Sequence, residues 1–368
     1  MSGLRICYVS LKSYHLLTKK KENMGMGGAE LQGLLITREL VQRGHEVSIV
    51  TFDHDPDEIE ENIPYRLIRT FRQGKSRSLV KILKAARSAD ADVYYMNNAG
   101  YILAPVVLAA HPRGKKVLFW AASDTNFDPN YKWFRMPTYR DKLLYLWGLK
   151  RCDAYVVQNN TQQDLLYRHF GKSSDIINNG FPQSEQLSSF QGEVLWVGSM
   201  RTVKNPMMFV ELAKRVPNVR FVMVGGNPVQ RDDFHNSILE EARKVPNLEF
   251  KGFLPFGEVE KLFMRASLFV NTSTVEGFPN TFLQAWARGV PVLSTANVNP
   301  DGLITQHRLG TVVNSIEEMA EAVRAYMANG LVFSPVAVKQ FFDCNLTIGN
   351  TVDRMESVFE RLVSGKSR

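Results

Sequence analysis

Short apolar runs alternate with helix-length amphipathic stretches along almost the whole chain. The run LRICYVSL reads as a buried strand, and it is followed by the glycine-rich loop GMGGAE, an amphipathic helix and a second β-rich run, EVSIVTF. This is the opening of a β-α-β unit. The further strand-like runs ADVYYM, KKVLFW and CDAYVVQN are spaced to leave a helix between neighbours, which predicts a parallel sheet with helical crossovers. A second series then begins. GEVLWVGSMRTVKNPMMFVELAKRV repeats strand, loop and helix, and VRFVMVGG, LEFKGFL, ASLFVNTS and PVLSTA read as four more short strands. The doubly wound plan is thus predicted twice. Between the series lies NNGFPQSEQLSSFQG, residues 178–192, with the Asn, Gly, Ser and Gln content of a linker. The predicted division is 1–182, 183–345 and a terminal segment 346–368, whose TVDRMESVFERLV has a helical pattern and whose last residues, SGKSR, are expected to fray.

Composition adds bounds to this picture. With 368 residues, 44% of them hydrophobic and 22% charged, the chain is long and apolar enough for two cores. Cys7, Cys152 and Cys344 fit no zinc or redox spacing, which suits a reducing compartment, and cytoplasm is the expectation. No N-terminal stretch reads as a secretory signal, and YILAPVVLAA is too short to span a bilayer. The net charge of +8 is unevenly spread: residues 1–182 carry 26 Lys and Arg against 18 Asp and Glu, and residues 183–368 carry 19 of each. A basic first half suggests an anionic partner, against the alternative of a merely solubilising face. Residues 131–151, YKWFRMPTYRDKLLYLWGLKR, interleave six Lys and Arg with Trp133, Phe134, Tyr139, Tyr145 and Trp147. That pattern fits peripheral contact with an anionic membrane at its inner face; it also fits a helix packed on the sheet with its cations reaching out to water. A nucleic-acid partner is not expected, since no known binding module is present.

Candidate chemistry falls just after predicted strands, where open parallel sheets bind ligands, and two such sheets facing each other would enclose a cleft. After the first strand, Gly27 and Gly28 let backbone approach a ligand ahead of a helix N-terminus, although the spacing is neither GxGxxG nor a P-loop and a plain turn is an equal reading. In GSMRTVKN, Arg201 and Lys204 can reach one group; either they are solvated surface charge or they neutralise a departing diphosphate. In SLFVNTSTVEGFPNTFLQAWARG, Glu276 and Gly277 follow a strand and Pro279 opens a helix, leaving the Asn280 and Thr281 amides as an anion site. Gln284, eight residues beyond Glu276, lies on nearly the same helix face. A nucleotide-sugar fits that layout, with the sugar at Glu276, the diphosphate at the helix start and the ribose at Gln284. Taken alone, the stretch also reads as an acid on a helix dipole and an ordinary surface Gln.

The combination of GGAE, NNGFP, WVGSMRTVKNP, VMVGG, LEFKGFL and EGFPNTFLQAWARGVPVL, in this order over nearly the whole chain, resembles the retaining GT-B glycosyltransferases of family 4, the glycosyl transferases group 1. The resemblance implies α/β architecture with two Rossmann-like doubly wound domains facing across a cleft. It implies an acceptor site in the first domain, a nucleotide-sugar donor site mainly in the second, no metal or other cofactor, and a final helix that packs back on the first domain. It further implies that Glu276 touches the donor sugar, that backbone near Phe278, Asn280 and Thr281 holds the diphosphate, that Lys204 with a nearby Arg neutralises it, and that Gly27 and Gly28 approach donor and acceptor.

The sequence departs from the family pattern at three places. Gln284 stands where the family carries the acid that grips the ribose, and an amide gives up the charge assistance of a carboxylate. Ser199 stands where the family's Arg follows the loop glycine, so Arg201 is assigned on reach. The first-domain His is replaced by the FWAASDTNF region, where Asp124 is the candidate for contact with the acceptor. The expected activity is hexosyl-type transfer from a nucleotide-diphosphate sugar, UDP before GDP, to a glycan or lipid-linked acceptor in cell-surface polysaccharide synthesis. Lys204 and Arg201 are catalytic in the sense of stabilising charge, and Glu276 orients the sugar. A nucleotide-sugar epimerase of the same fold and a catalytically inert nucleotide-sugar-binding subunit are the alternatives.

Overall fold

The computed structural model describes residues 3–18, 27–55, 59, 63–74, 77–97, 99–128, 136, 138–226, 233–328 and 333–365. Gly25 of the first glycine loop, Trp133 and Phe134 lie outside the described residues. The chain forms two compact units, one running to Gly180 and resuming at Ile348, the other comprising Phe181–Thr347.

The first unit is built on a seven-stranded parallel sheet of order β3-β2-β1-β4-β5-β6-β7, with β1 (Arg5–Val9), β2 (Glu46–Thr51), β3 (Arg66–Arg69), β4 (Val93–Met96), β5 (Lys116–Trp120), β6 (Ala154–Val157) and β7 (Asp175–Ile176). The two edge strands β3 and β7 were not among the predicted runs: RLIR is flanked by charge and DI is only two residues long. Period-two alternation divides each central strand between two cores. Cys7, Val9, Tyr94 and Phe119 enter one, with Ile82, Val106 and Tyr145; Ile6, Tyr8, Tyr95 and Trp120 enter the other, with Ile36, Leu40 and the terminal helix.

That terminal helix, Ile348–Ser364, belongs to the first unit because its apolar stripe of Val352, Met355 and Phe359 completes the second core. Arg43 holds it at one end, reaching Asp353 at 2.5 Å and Glu356 at 2.6 Å, and Arg361 bonds Asp175 at 2.5 Å. The chain leaves this unit two residues earlier than the sequence predicts. Gln32 accepts from the Gly180 amide at 3.3 Å and donates to its carbonyl at 2.7 Å, so Gly180 is fixed to the first unit. Phe181 donates to the Leu346 carbonyl at 3.1 Å and pairs with Thr347, which fixes both crossings at these residues rather than at 182 and 345.

The second unit carries a six-stranded parallel sheet of order β10-β9-β8-β11-β12-β13, with β8 (Glu193–Val197), β9 (Arg220–Val224), β10 (Leu248–Phe250), β11 (Ala266–Asn271), β12 (Val292–Thr295) and β13 (Gly310–Val313). β13 was not predicted; its two central residues are only half-buried, so it lacks a continuous apolar signature. The order reverses between β8 and β11, and this switch point directs the loops after those strands to opposite faces of the sheet while keeping them adjacent at its carboxyl edge. Glycine is needed close by: a Cβ on Gly225 would lie 2.1 Å from the Gly198 carbonyl oxygen, so the loops after β8 and β9 touch backbone to backbone. Among the described residues no helix is long and apolar enough to cross a membrane.

Candidate functional site

The loop after β8 is short and tightly wound. Lys204 N donates to the Arg201 carbonyl at 2.8 Å and Asn205 N to that of Thr202 at 3.0 Å, after which Asn205 turns through a left-handed conformation (φ 46°) and Pro206 starts the helix Pro206–Arg215. The loop after β11 is laced to it. Thr272 Oγ1 donates to the Lys204 carbonyl at 2.7 Å and receives Trp196 Nε1 at 2.9 Å, while Thr274 N donates to the Val203 carbonyl at 2.9 Å. These bonds bring the two motifs together. Lys204 Nζ donates to Glu276 Oε1, which also accepts Ser273 Oγ at 2.8 Å. The pair is partly screened from water, with side-chain exposures of 22% for Lys204 and 15% for Glu276.

The remaining candidates of the second unit sit around this pair in different ways. Arg201 is exposed and its Nε donates to Ser199 Oγ at 2.9 Å, so it stands on the outer side of the turn and is not bonded to Glu276. Phe278 is buried in the core and Asn280 and Thr281 are half-buried in the first turn of the helix Asn280–Trp286. Ser273, which steadies Glu276, was not singled out from the sequence; its signal was the polar triplet NTS immediately after an apolar strand.

Of the two readings of Gln284, ribose ligand or ordinary surface residue, the structure excludes the second. Only 5% exposed, Gln284 donates from Nε2 to Glu260 Oε1 at 2.7 Å. Arg288, one turn later, bonds Glu260 Oε2 through Nη2 and the Gln284 carbonyl through Nη1 at 3.1 Å. Burial pushes the Glu260 carboxyl above its ordinary range, and Arg288 and Gln284 work against that rise. Neither Glu260 nor Arg288 was a candidate. Arg288 carried a signal in its spacing of four from Gln284, although it stands in the turn just past the end of the helix Asn280–Trp286; Glu260 comes from the separate helix Phe256–Phe263, and no local pattern connects it to either.

In the first unit, Gly27 precedes the helix Gly28–Gln42 as its cap, and the Glu30 carboxylate folds over it so closely that a Cβ on Gly27 would lie 1.8 Å from Glu30 Oε2. An acid therefore already occupies the start of this helix, which makes it a poorer anion site than the bare glycines suggested. Asp124 follows β5 in a 3-10 turn capped by Ser123, and its Oδ1 accepts Gln162 Nε2 at 3.0 Å. Of the basic and aromatic stretch, Tyr145 and Leu149 are in the core, whereas Tyr139 is 75% and Leu143 50% exposed. Among the described residues no cluster of three or more His, Cys, Asp or Glu side chains is arranged to hold a metal ion.

The family model described as "Glycosyltransferase Family 4" matches residues 26–184, and that described as "Glycosyl transferases group 1" matches residues 191–329. Among curated proteins, the chain is 23% identical over 346 residues to the mannosylfructose-phosphate synthase of Agrobacterium fabrum, covering 79% of this chain and 76% of that one. It is 27% identical over 157 residues to the alpha-galactosylglucosyldiacylglycerol synthase of Streptococcus pneumoniae, covering 42% of this chain and 41% of that one. Among solved structures, HepE of Anabaena in complex with UDP and glucose superposes with a TM-score of 0.75 at 14% identity, covering 97% of this chain and 99% of that one. The sucrose-phosphate synthase of Thermosynechococcus elongatus gives 0.76 at 17% identity, covering 98% and 99%.

The triad of Glu260, Gln284 and Arg288 makes a prediction about pH. A carboxyl with a raised folded-state pKa contributes stability that is present below its ordinary value near 4.5 and is lost as pH rises through the raised value. Arg288→Ala removes the charge that opposes the rise, so the loss extends to higher pH. The variant is expected to be about 3 kcal/mol less stable than the parent at pH 7.5 and much closer to it near pH 4.5. Urea denaturation at the two pH values measures this; an equal deficit at both would contradict the arrangement.

Proposed function

The chain belongs to the family 4 glycosyltransferases of GT-B fold, and from that premise we propose that it is a retaining enzyme that moves a sugar from a nucleotide-diphosphate sugar, UDP-linked in the first instance, to a hydroxyl of a glycan or lipid-linked acceptor in cell-surface polysaccharide assembly. The observation that carries this reading is the bond between Lys204 and Glu276 at the switch point of the second sheet. One cation and one acid held together there suit the two ends of the scissile bond: Glu276 accepts from hydroxyls of the sugar, and Lys204 faces the diphosphate.

In the reaction, the bond between the anomeric carbon and the phosphate oxygen breaks as the acceptor oxygen bonds to the same carbon from the same face. The acceptor proton passes to the departing phosphate. No protein base is needed, and the protein's part is to place the groups and to stabilise charge on the leaving oxygen. Lys204 does this from a fixed position; Arg201 swings in from the rim of the same turn. In this reading the two cations supply the positive charge and no metal is called for. Backbone at Phe278, Asn280 and Thr281 receives the remaining phosphate oxygens. In the first unit, Gly27 and Gly28 belong to the substrate-binding backbone, and Asp124 accepts from an acceptor hydroxyl. A cation set before a single acid suits departure of a diphosphate better than epimerisation, which asks for an acid and a base on the sugar itself.

A lipid-linked acceptor is supported by the surface of the first unit. The helices Leu79–Ala89, Leu103–Ala110 and Tyr139–Leu149 pack side by side, and they expose Val80, Leu108, Tyr139 and Leu143 among Lys81, Lys84, Arg87 and Arg140. Apolar side chains set among cations suit the headgroup layer of an anionic membrane.

Lys204→Ala and Glu276→Ala are each expected to lower sugar transfer or donor hydrolysis by about 10²–10³-fold with an unchanged melting temperature; near-parental turnover in either variant would refute the assignment. For the membrane, the protein is expected to float with vesicles containing anionic lipid at low salt and to be released as salt is added. Failure to float at low salt would rule the contact out.

A further inference from the structure

The sequence offers Gln284 as a weakened ligand for ribose, an amide in place of a carboxylate. Its surroundings give it a different character. The Gln284 side chain is almost wholly buried, and its Nε2 lies 2.7 Å from Glu260 Oε1. A carboxylate only accepts hydrogen bonds, so this contact decides which way the amide faces: the NH₂ group is turned to Glu260 and the carbonyl oxygen is turned away from it. Arg288 strengthens the arrangement by addressing the other Glu260 oxygen and the Gln284 backbone carbonyl, which keeps Glu260 an acceptor and the helix turn in place. Among the described residues no group is bonded to the Gln284 side-chain oxygen.

We propose that Glu260 is a positioning residue that makes Gln284 act as a carboxylate would: with its NH₂ committed to Glu260, Gln284 presents a single acceptor oxygen to the vicinal hydroxyls of the donor's ribose. An amide whose N–H donates to an anion also carries more negative charge on its oxygen, through the cooperativity of linked hydrogen bonds. The charge missing from position 284 is thus supplied from the neighbouring helix, one hydrogen bond removed from the ligand. The inference rests on the donor site proposed above. Gln284 lies four residues into the helix that follows the Glu276 loop, about 6 Å along its axis from Asn280, and the ribose is the part of a nucleotide next to the diphosphate.

The test compares binding of UDP and 2′,3′-dideoxy-UDP by calorimetry, with the GDP pair used in parallel, in the parent protein, in Glu260→Gln and in the exchanged variant Glu260→Gln/Gln284→Glu. The parent is expected to prefer the hydroxylated nucleotide by about tenfold, the worth of a good hydrogen bond. In Glu260→Gln the Gln284 amide is free to turn over and the preference is expected to fall to about twofold. The exchanged variant restores one carboxylate and one amide facing each other, keeps a partner for Arg288, and is expected to regain the parental preference. A merely structural role for Glu260 would weaken both nucleotides alike and leave their ratio unchanged. An unchanged ratio in Glu260→Gln, or no recovery in an exchanged variant that melts with the parent, overturns the inference while leaving the donor site standing. If the parent binds neither UDP nor GDP, the donor-site reading itself fails and takes the inference with it.

Discussion

The bond from Lys204 to Glu276 is the constraint on which the site depends. The strand order brings the two loops to one edge of the second sheet, and backbone and side-chain bonds through Thr272, Thr274 and Ser273 lace them together around the ion pair. An isolated surface ion pair contributes little. This one is partly screened from water and set in a cage of directed hydrogen bonds, so its value lies in position: an acid and a cation are held ready where a polar, charged ligand would otherwise have to organise them. Preorganisation of that kind is the main resource of an enzyme that stabilises a departing diphosphate.

The same logic of burying charge only in company recurs on the helix behind the site. Glu260 would be costly in its half-closed setting without partners, and it receives both a guanidinium and an amide. In the first unit the terminal helix follows it on a larger scale, with an apolar stripe completing the core and Arg43 and Arg361 joining acids at its margins. Each of these contacts joins residues far apart in sequence, and each fixes an element that carries or supports candidate chemistry.

Much of the fold was legible because the strands at the centre of each sheet are buried on both faces and read as continuous apolar runs. β3, β7 and β13 escaped notice because edge strands need no such run. The candidate residues were legible for a related reason: in a doubly wound sheet they fall directly after strands, and Lys204 and Glu276 do so in consecutive positions of the switch point. The sequence could not show that Gln284 turns inward, because its partner Glu260 lies on a helix whose distance from it is set by packing alone. Nor could the glycines of GGAE reveal that Glu30 covers the helix start, since the same letters allow that acid to face solvent. Local pattern found the elements and the strand ends; partnerships between elements required the structure.

We propose that the diphosphate of the donor is received by Lys204 beside Glu276. A crystal structure of the protein soaked with UDP tests it most directly. The β-phosphate is expected within hydrogen-bond reach of Lys204 Nζ, with phosphate oxygens facing the turn at Pro279 and the ribose beside Gln284. UDP bound elsewhere, with Lys204 and Glu276 still joined only to each other and to Ser273, would contradict it.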